Sequence, residues 1–286
     1  MAKKQAEVIT RFAPSPTGQL HLGHLYAALF ARDLARKKGG RFLLRFEDID
    51  TTRVRPHYYS EIESDLHHAG IRWDAPPLRQ TTRFPAYQEA LNKLKKLDAV
   101  YPCFCTRRDI QREIKNLVRA PHGPDGPLYP STCKALTPQQ IEAHLANGHE
   151  PAWRLDSERA AKLTGPLTFQ DSFLGSVEVN HALLGDIILA RKDIGTSYHI
   201  AVVVDDAFQN VTDVTRGKDL LESTHIHRIL QALFELPEPK YHHHELVCDS
   251  KGERLAKRNA AHSLQSLVAS GLTPEELIQL AQDSLA

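Results

Sequence analysis

The chain has 286 residues, of which 41% are hydrophobic and 25% charged, and its formal net charge is +1 at pH 7. This balance is typical of a globular protein and excludes an overall field that would attract nucleic acid, although it allows a local basic face. No apolar run approaches the roughly 20 residues that cross a bilayer. The start of the chain, MAKKQAEVITRF, has no apolar signal-peptide segment. We therefore expect a cytoplasmic protein.

The first 71 residues are predicted to alternate between strands and helices. Residues 7–12 favour a strand, 21–38 an amphipathic helix, 41–48 a buried strand and 58–71 a second helix. This order is that of a parallel α/β sheet. In such sheets ligands bind at the carboxyl ends of strands, beside helix N-termini. The loop before residue 21 is therefore predicted to lie at a ligand site.

The rest of the chain is predicted to contain both element types. Helices are expected over residues 84–97, 136–148, 218–234 and the tail after Thr273. Short strand-like pieces between residues 153 and 180 indicate an insertion, and alternation returns after residue 185. The segment 240–249 is predicted to be a last strand, with most of the histidine run at 242–244 in the core.

The opening stretch RFAPSPTGQLHLGH, residues 11–24, combines two prolines, two glycines and two histidines. His21 and His24 are spaced to share one face at the helix start, where free N–H groups favour phosphate. Two imidazoles there could bind phosphate oxygens or a metal, or be exposed residues of a capped helix. Gly18 and Gly23 allow a ligand to approach the backbone closely. Neither common glycine-rich phosphate motif is present.

Three long motifs carry a resemblance to a known family. The stretch RFAPSPTGQLHLGHLYAALF resembles the first signature of the class I aminoacyl-tRNA synthetases, and most closely that of the glutamyl branch. The stretches RFLLRFEDIDTTR and GDIILARKDIGTSYHIAVVVDDAFQNVTDVTRGKDLL are similar to the same branch. The resemblance covers nearly the whole chain. It implies an α/β fold with a Rossmann-like, parallel-sheet catalytic domain.

About 28 residues follow the second signature, ERLAKR, too few for an anticodon-binding domain with its own core. In this the chain resembles the short glutamyl-queuosine tRNA(Asp) synthetase family. That resemblance implies a monomer that activates L-glutamate with ATP and joins it to queuosine in the anticodon of tRNA(Asp). The expected divisions are a first catalytic half (1–100), a zinc-binding, acceptor-type insertion (101–185), a second catalytic half (186–248), and a KMSKS-like loop with a short helical tail (249–286).

The resemblance also implies which residues bind ATP. His21, Gly23 and His24 would hold its phosphates, and Lys257 in the second signature would stabilise charge on the α-phosphate. Magnesium is expected with ATP. The sequence departs from the family at Ala256, where a serine is usual. The missing hydroxyl removes a hydrogen bond worth about 0.5–1.5 kcal/mol.

The glutamate pocket is implied in the same way. An ammonium group is matched by a carboxylate, and a carboxylate by a bidentate guanidinium. Glu47 would take the ammonium group. The implied pocket residues are Arg11, Phe12, Ala13, Pro14, Ser15, Glu47, Tyr198 and Arg216. Taken singly, Glu47 and Arg216 are also compatible with strand-end ion pairs, and Tyr198 with a place in the core.

Three of the four cysteines, Cys103, Cys105 and Cys133, lie within about 30 residues, which indicates a metal rather than a disulfide framework. A tetrahedral zinc would need a fourth ligand. Ligand chemistry alone favours His122, whereas the family resemblance implies the oxygen of Tyr129. The zinc would be structural and would fix the loop 104–133. Three buried free thiols are the alternative, and Cys248 is expected in the core.

Other functions remain compatible with the sequence. The basic segment RRDIQREIKNLVR, residues 107–119, is suited to RNA phosphates or to an ordinary solvated helix face. A truncated glutamyl-tRNA synthetase would charge a tRNA 3′ end instead of a base. A glutamate-adenylating enzyme would serve a non-tRNA acceptor. A binding protein that has lost catalysis is disfavoured by the intact His21, His24 and Lys257.

Overall fold

The computed structural model describes residues 7–116, 122–123, 126–247 and 263–284. Along these residues the strands are β1 (Ile9–Phe12), β2 (Arg41–Phe46), β3 (Leu78–Arg79), β4 (Val100–Cys103), β5 (His122–Gly123), β6 (Gly126–Pro127), β7 (Ala152–Leu155), β8 (Thr168–Asp171), β9 (Gly175–Glu178), β10 (Ile188–Ala190), β11 (Asp213–Gly217) and β12 (Lys240–His244). The helices are α1 (Leu22–Lys37), α2 (His57–His68), α3 (Phe84–Lys96), α4 (Arg107–Asn116), α5 (Pro138–Ala146), α6 (Ser157–Thr164), α7 (Tyr198–Phe208), α8 (Leu221–Phe234), α9 (Leu264–Ala269) and α10 (Pro274–Asp283).

Two groups of strands meet edge to edge at the centre of the molecule. Strands β1, β2 and β3 are parallel, and β11, β12 and β8 are parallel with β9 antiparallel at the end. Thr212, just before β11, donates its backbone N–H to the Ile9 carbonyl at 3.0 Å. This bond places β1 beside β11. The carboxyl ends of β1, β2 and β11 therefore face one crevice, where ligands bind in open parallel sheets.

A smaller antiparallel sheet has the order β10, β7, β4. Strands β8 and β9 lie within the insertion expected over residues 153–180, yet β8 pairs with β12 of the main sheet. This part of the expected insertion therefore extends the main sheet. Its short strands carry no signal for a partner so far along the chain, so only the fold shows that they complete the main sheet.

Small side chains let α1 pack directly on the main sheet. Ala28, Ala31 and Ala35 are fully buried on its inner face, and Leu25 lies beside them. Thr10 on β1 donates its hydroxyl to the Ala31 carbonyl at 2.8 Å. Burying this apolar face contributes on the order of 25 cal/mol per Å² removed from water. The close packing fixes the start of α1 against the end of β1.

The described part of the tail packs on the same half of the molecule. Leu264 donates its backbone N–H to the Leu20 carbonyl at 2.8 Å, and Leu277 and Ala281 of α10 are buried in the α1 core cluster. Thr273 caps α10 as predicted, by accepting from the Glu276 N–H. Across the described residues, no helix is both long and apolar enough to cross a membrane.

Candidate active site

The opening stretch places two imidazoles side by side at the start of α1. His21 is the N-cap, and its Nδ1 accepts from the Gly23 N–H at 3.1 Å. His24 Nδ1 accepts from the His21 N–H at 3.2 Å, and the two ring centroids are 3.8 Å apart. Because each Nδ1 accepts, each neutral ring carries its proton on Nε2. Each ring therefore has an Nε2–H group, a donor of the kind that binds phosphate.

Gly23 is required by this arrangement. A β-carbon at Gly23 would lie 3.0 Å from His21 Cε1 and 3.1 Å from its Nδ1. Such contacts are tighter than nine in ten real β-carbon contacts, so the ring of His21 would have to shift by a few tenths of an ångström. The glycine thus allows the histidine to cap the helix and face the crevice at once.

A cavity of about 660 Å³ opens at the carboxyl ends of β1 and β11. Of the predicted site residues, those that line it are Arg11, Phe12, Ala13, Ser15, His21, Gly23, His24, Glu47, Tyr198 and Arg216. Pro14 is buried and lies outside the lining. Its carbonyl accepts from the Glu47 N–H at 3.0 Å, which holds the loop against the end of β2.

Arg11 is anchored rather than free at the cavity wall. Its Nε donates to Asp206 Oδ1 at 2.8 Å, and its Nη1 donates to the Thr215 carbonyl at 3.1 Å. Asp206 also accepts from the fully buried Arg45 at 2.7 Å. One carboxylate therefore holds two guanidiniums, so Arg11 contributes a fixed positive field to the site.

Glu47 faces the same cavity from the end of β2. Arg45 Nη2 lies 3.3 Å from its Oε1, so the ion pair considered for Glu47 is present. Burial nevertheless outweighs the cations Arg45 and Arg11 and raises the pKa of Glu47. A carboxylate in this state gains from another cation beside it. The position therefore suits an ammonium group.

Arg216 is a buried guanidinium without an acidic partner. Within the described part of the chain, its side chain donates from Nη1 to His227 Nδ1 at 3.1 Å, and no carboxylate lies within ion-pair distance. Its Nε is buried and has no hydrogen-bond partner among the residues that the structure describes. Removing one partner from a buried pair is destabilising by about 3–5 kcal/mol, because the remaining charge is uncompensated. The arrangement favours an anionic ligand.

Tyr198 begins α7 and separates this cavity from a second one. Its ring packs against His227, with the centroids 5.4 Å apart, and it is half-buried rather than part of a sealed core. Burial raises the pKa of Tyr198, so the hydroxyl is protonated at neutral pH. It can donate or accept at the boundary between the two cavities.

The second cavity has a volume of about 410 Å³ and shares Ser15, Glu47 and Tyr198 with the first. Its wall includes Thr196 and Ser197, whose hydroxyl oxygens are buried without a hydrogen-bond partner among the described residues. A buried polar group without a partner is unfavourable, so these hydroxyls favour a polar ligand. The two cavities therefore share one wall.

Three cysteines form a cluster at the end of the small sheet. The sulfurs of Cys103, Cys105 and Cys133 lie within 4.8 Å of one another. Tyr129 Oη is 3.4 Å from Cys103 Sγ and 3.6 Å from Cys105 Sγ. Three thiols and one oxygen around a common point fit a four-coordinate metal. The side chain of His122 lies outside the described residues.

The Tyr129 oxygen is held by its surroundings. The Cys133 N–H donates to it at 2.9 Å, and the Arg154 guanidinium stacks on the ring 3.6 Å from its centroid. Arg154 in turn donates to the Asp186 carbonyl at 2.7 Å. The cluster thereby joins β4, the turn at Thr132–Ala135 and β7. Such cross-links suit a structural rather than a catalytic centre.

Several site features escaped the sequence reasoning. It did not identify Asp206 or His227 as site residues, although acidic residues within the apolar helix segment AVVVDDAF were a signal. The histidine run is buried as predicted, with His242 bonded to Asp213 and His243 to Asp171. The second signature, with Ala256 and Lys257, and Cys248 lie outside the described residues.

Comparison with known proteins agrees with this geometry. Residues 7–282 match the family model described as tRNA synthetases class I (E and Q), catalytic domain. The chain is 47% identical over 278 residues to the glutamyl-Q tRNA(Asp) synthetase of Rhodobacter capsulatus, covering 96% of this chain and 99% of the relative. It is 42% identical to the protein of that name from Nocardia farcinica, covering 100% and 88%.

The fold is also similar to a solved glutamate-tRNA synthetase from Elizabethkingia anophelis. The TM-score is 0.75 at 28% identity, covering 88% of this chain and 53% of that one, so the chain spans about half of that protein's length. The family match and the relatives together agree with the parallel α/β fold and the first signature at α1. The chain belongs to the class I tRNA synthetases of the E and Q group, a family of ligases, and contains their catalytic domain.

Proposed function

We propose that this chain activates L-glutamate with ATP and transfers the glutamyl group to the queuosine base in the anticodon of tRNA(Asp). The observation that carries the proposal is Arg216, a buried guanidinium on the cavity wall without an acidic partner among the described residues. A ligand with a carboxylate would supply the missing counter-charge. Glu47, on the same cavity, suits the ligand's ammonium group.

Glutamate fits this pair of charges because it carries one ammonium and two carboxylates. In the proposed arrangement the side-chain carboxylate lies against Arg216 and the ammonium group against Glu47. Arg11 adds positive field, and the hydroxyls of Ser15 and Tyr198 complete the polar lining, with Phe12, Ala13 and Pro14 shaping the loop. The reacting carboxylate is then directed toward the start of α1.

Activation needs no general base, since a carboxylate is already ionised near neutral pH. It attacks the α-phosphate of ATP, a new carboxyl–phosphate bond forms, and pyrophosphate leaves. His21 and His24 donate from Nε2 to phosphate oxygens, Gly23 permits their approach, and Lys257 stabilises charge on the α-phosphate. Magnesium bound with ATP supplies further neutralisation. The protein acts mainly by positioning and by fixed charge.

The second cavity is the proposed place of the acceptor. It adjoins the amino-acid cavity through Ser15, Glu47 and Tyr198, so an acceptor there would reach the activated carboxyl group. The unpartnered hydroxyls of Thr196 and Ser197 suit an acceptor that carries hydroxyl groups, such as the diol of queuosine. The names of the two relatives support tRNA(Asp) as the carrier of that base.

We propose that the cysteine cluster holds one structural zinc ion. Cys103, Cys105 and Cys133 would supply thiolates, and Tyr129 would supply an oxygen as the fourth ligand. The ion would fix the loop that leaves β4, and no catalytic step is assigned to it. In this proposal the metal stabilises the fold, and the residues that line the cavities carry out the reaction.

A second candidate is charging of a tRNA 3′ end. It is favoured by the structural likeness to the Elizabethkingia anophelis glutamate-tRNA synthetase, although the chain spans about half of that protein. A ribose at a 3′ end also presents hydroxyls, so the second cavity alone does not separate the two acceptors. The Rhodobacter capsulatus relative, which this chain matches over 99% of its length, favours the queuosine reaction.

Transfer of labelled glutamate to tRNA(Asp) with and without queuosine tests the proposal. Label that appears only on the queuosine-containing RNA, and is retained after removal of its 3′ end, is the expected result. Label lost with the 3′ end would identify an ordinary synthetase. No label on either RNA, with glutamate-dependent pyrophosphate exchange intact, would direct the search to another acceptor.

Arg216→Gln and Arg228→Gln provide a matched pair for the same assay. Arg228 contacts the Thr168 carbonyl and Glu238 on another face of α8. Loss of glutamate activation is expected for R216Q and retention for R228Q. Equal activity of the two variants would contradict the role of Arg216.

A further inference from the structure

The buried His227 and the half-buried His199 connect the walls of the two cavities. Arg216, on the first cavity, contacts His227 on α8, and His227 Nε2 lies 3.2 Å from His199 Nδ1 on α7. His199 lies on the wall of the second cavity. Neither the family match nor the motif analysis assigns a role to His227 or His199. We call these three residues the row Arg216–His227–His199, and the ring of Tyr198 packs against both of its imidazoles.

The direction of every hydrogen bond in this row follows from Arg216. A guanidinium only donates, so His227 Nδ1 must accept and be unprotonated. The proton of the neutral ring is then on Nε2 and is donated to His199 Nδ1. The proton of His199 is in turn on its own Nε2. One arginine thereby sets the tautomers of two rings.

The surroundings keep both rings neutral, as this pattern requires. Burial and the neighbouring Arg216 lower the pKa of His199 to about 4. The same two causes, in the same order, lower the pKa of His227 well below its ordinary value. A protonated His227 could not accept from Arg216, so neutrality and geometry are consistent. The row is a fixed network across the physiological pH range.

The contact with His227 decides which part of Arg216 is available. Nη1 is engaged, whereas Nε and Nη2 have no hydrogen-bond partner among the described residues. These two nitrogens form the side-on edge that binds a carboxylate with two parallel bonds. Arg11 presents the same edge to Asp206, which shows the geometry within this fold. His227 therefore leaves the bidentate edge of Arg216 for a ligand.

We propose that His227 is a positioning residue for glutamate recognition: it accepts from Arg216 Nη1 and, oriented by His199, holds the guanidinium with its bidentate edge toward the side-chain carboxylate. This inference rests on the proposed function and deepens it. Tyr198 packs on both imidazoles, with centroids 5.5 Å from His199 and 5.4 Å from His227. A shift of either ring would therefore also move the partition between the cavities.

Two substitutions at His227 separate positioning from packing. In His227→Asn the amide oxygen can take the place of Nδ1 and accept from Arg216. In His227→Gln the longer side chain reaches the Nε2 position and loses that acceptor. Glutamate-dependent pyrophosphate exchange, which needs no RNA in the proposed reaction, would be measured over a range of glutamate and ATP concentrations.

The expected result is a KM for glutamate within about threefold of wild type for H227N and raised about tenfold or more for H227Q. The KM for ATP stays unchanged in both variants. His225 gives a matched control, because it is a buried histidine on α8 whose Nδ1 accepts from the Asn180 N–H. H225N and H225Q are expected to leave the KM for glutamate unchanged.

A second comparison tests whether His199 acts through His227. His199→Phe removes the acceptor of the His227 proton, and it is expected to raise the KM for glutamate less than H227Q does. The double variant H199F/H227Q is expected to match H227Q alone, since coupled residues are not additive. Additive effects would contradict a shared network.

The outcomes distinguish this inference from the proposed function. If the wild-type protein shows no glutamate-dependent exchange, the proposed function is wrong and the inference falls with it. If the wild type exchanges while H227N and H227Q have the same KM for glutamate, only the positioning role is wrong. Thermal unfolding of each variant identifies loss of the fold. If H227Q does not fold, the KM of H227N for glutamate alone tests the positioning role, because rescue by an acceptor is not expected of a packing residue.

Discussion

Arg11 and Asp206 form an ion pair at the wall of the first cavity, with Arg11 Nε 2.8 Å from Asp206 Oδ1 and both side chains less than 10% exposed. The pair joins β1 to α7, two elements far apart in the chain. Asp206 also binds the buried Arg45 at 2.7 Å. The charge distribution of the site therefore depends on one carboxylate that does not itself line the cavity.

Asp206→Asn is expected to destabilise the protein by about 3–5 kcal/mol, because the buried Arg11 loses its acidic partner and the buried Arg45 keeps only Glu47. Urea unfolding measures this change. Glu235→Gln is the control, since Lys93 and Glu235 form a surface pair at 3.6 Å with an expected effect below about 1 kcal/mol. Equal urea midpoints for D206N and E235Q would contradict the stabilising role given to Asp206.

The same carboxylate predicts a loss of stability in acid. Burial alone would raise the pKa of Asp206, but Arg11 and Arg45 outweigh it and lower the pKa to about 2. Because the folded pKa lies below that of the unfolded chain, the stabilisation is present above about pH 4. It is lost as the pH falls toward 2. Unfolding measured from pH 6 to 2 should show a steeper decline for wild type than for D206N.

Gly23→Ala is expected to separate ATP use from stability. The new β-carbon would displace the His21 ring, so the KM for ATP should rise by about tenfold, on the scale of a lost charge-assisted hydrogen bond. Alanine favours a helix by about 0.5–1 kcal/mol over glycine, which offsets the weakened cap. Pyrophosphate exchange and thermal unfolding measure the two effects. An unchanged KM for ATP would show that His21 does not need its present position.

The cysteine cluster predicts one zinc ion per chain, measured by elemental analysis after dialysis. Tyr129→Phe removes the oxygen and keeps three thiols, so zinc should be lost to a chelator about tenfold more readily. His122→Ala should leave zinc retention unchanged. Faster loss of zinc from His122→Ala than from Tyr129→Phe would make the histidine the fourth ligand. Absence of zinc from the wild type would mean that the three cysteines are free thiols.

Thr196→Val replaces a buried hydroxyl, which has no hydrogen-bond partner among the described residues, with a methyl group of similar shape. Such a change is expected to leave the free protein as stable or up to about 1 kcal/mol more stable. Transfer of glutamate to RNA should nevertheless fall, while RNA-free pyrophosphate exchange is retained. Stopped-flow transfer from preformed adenylate measures this difference. Unaltered transfer would place the acceptor elsewhere.

Replacing Asp65 on α2 is expected to increase the free energy of unfolding by an amount that depends on pH. Burial and the neighbouring Glu61 raise the pKa of Asp65 to about 7. Since the folded state binds this proton more tightly than the unfolded state, the contribution to stability decreases as the pH rises from about 4 to 7. Asp65→Asn should therefore be about 1–3 kcal/mol more stable than wild type at pH 8, with the gap closing near pH 4. A gap that is the same at both pH values would exclude titration of Asp65 as its cause.

Sequence motifs predicted the parts of the site that lie at strand ends. Arg11 and Glu47 lie near the ends of predicted strands, and the parallel sheet brings strand ends together without further information. The capped starts of α1 and α10 were also predictable, because a cap depends only on residues next to each other in the chain. The cysteine spacing likewise predicted a cluster, because a short loop closes readily.

The partners of those residues depend on tertiary packing. Asp206 and His227 occupy inner faces of α7 and α8, where apolar neighbours mask their polar role. Whether Thr196 has a hydrogen-bond partner depends on atom positions that no spacing rule provides. The pairing of β8 with β12 was hidden in the same way, since strand partners are chosen by sheet order rather than by sequence distance.

The shared wall of Ser15, Glu47 and Tyr198 makes the two cavities thermodynamically dependent on each other. A ligand that orders this wall from one side changes the free energy of binding from the other. Linkage requires the effect to be reciprocal, so the factor by which RNA changes glutamate affinity must equal the factor by which glutamate changes RNA affinity. With glutamate in the first cavity and its acceptor in the second, as proposed, a substitution in this wall is expected to alter the affinity for both ligands.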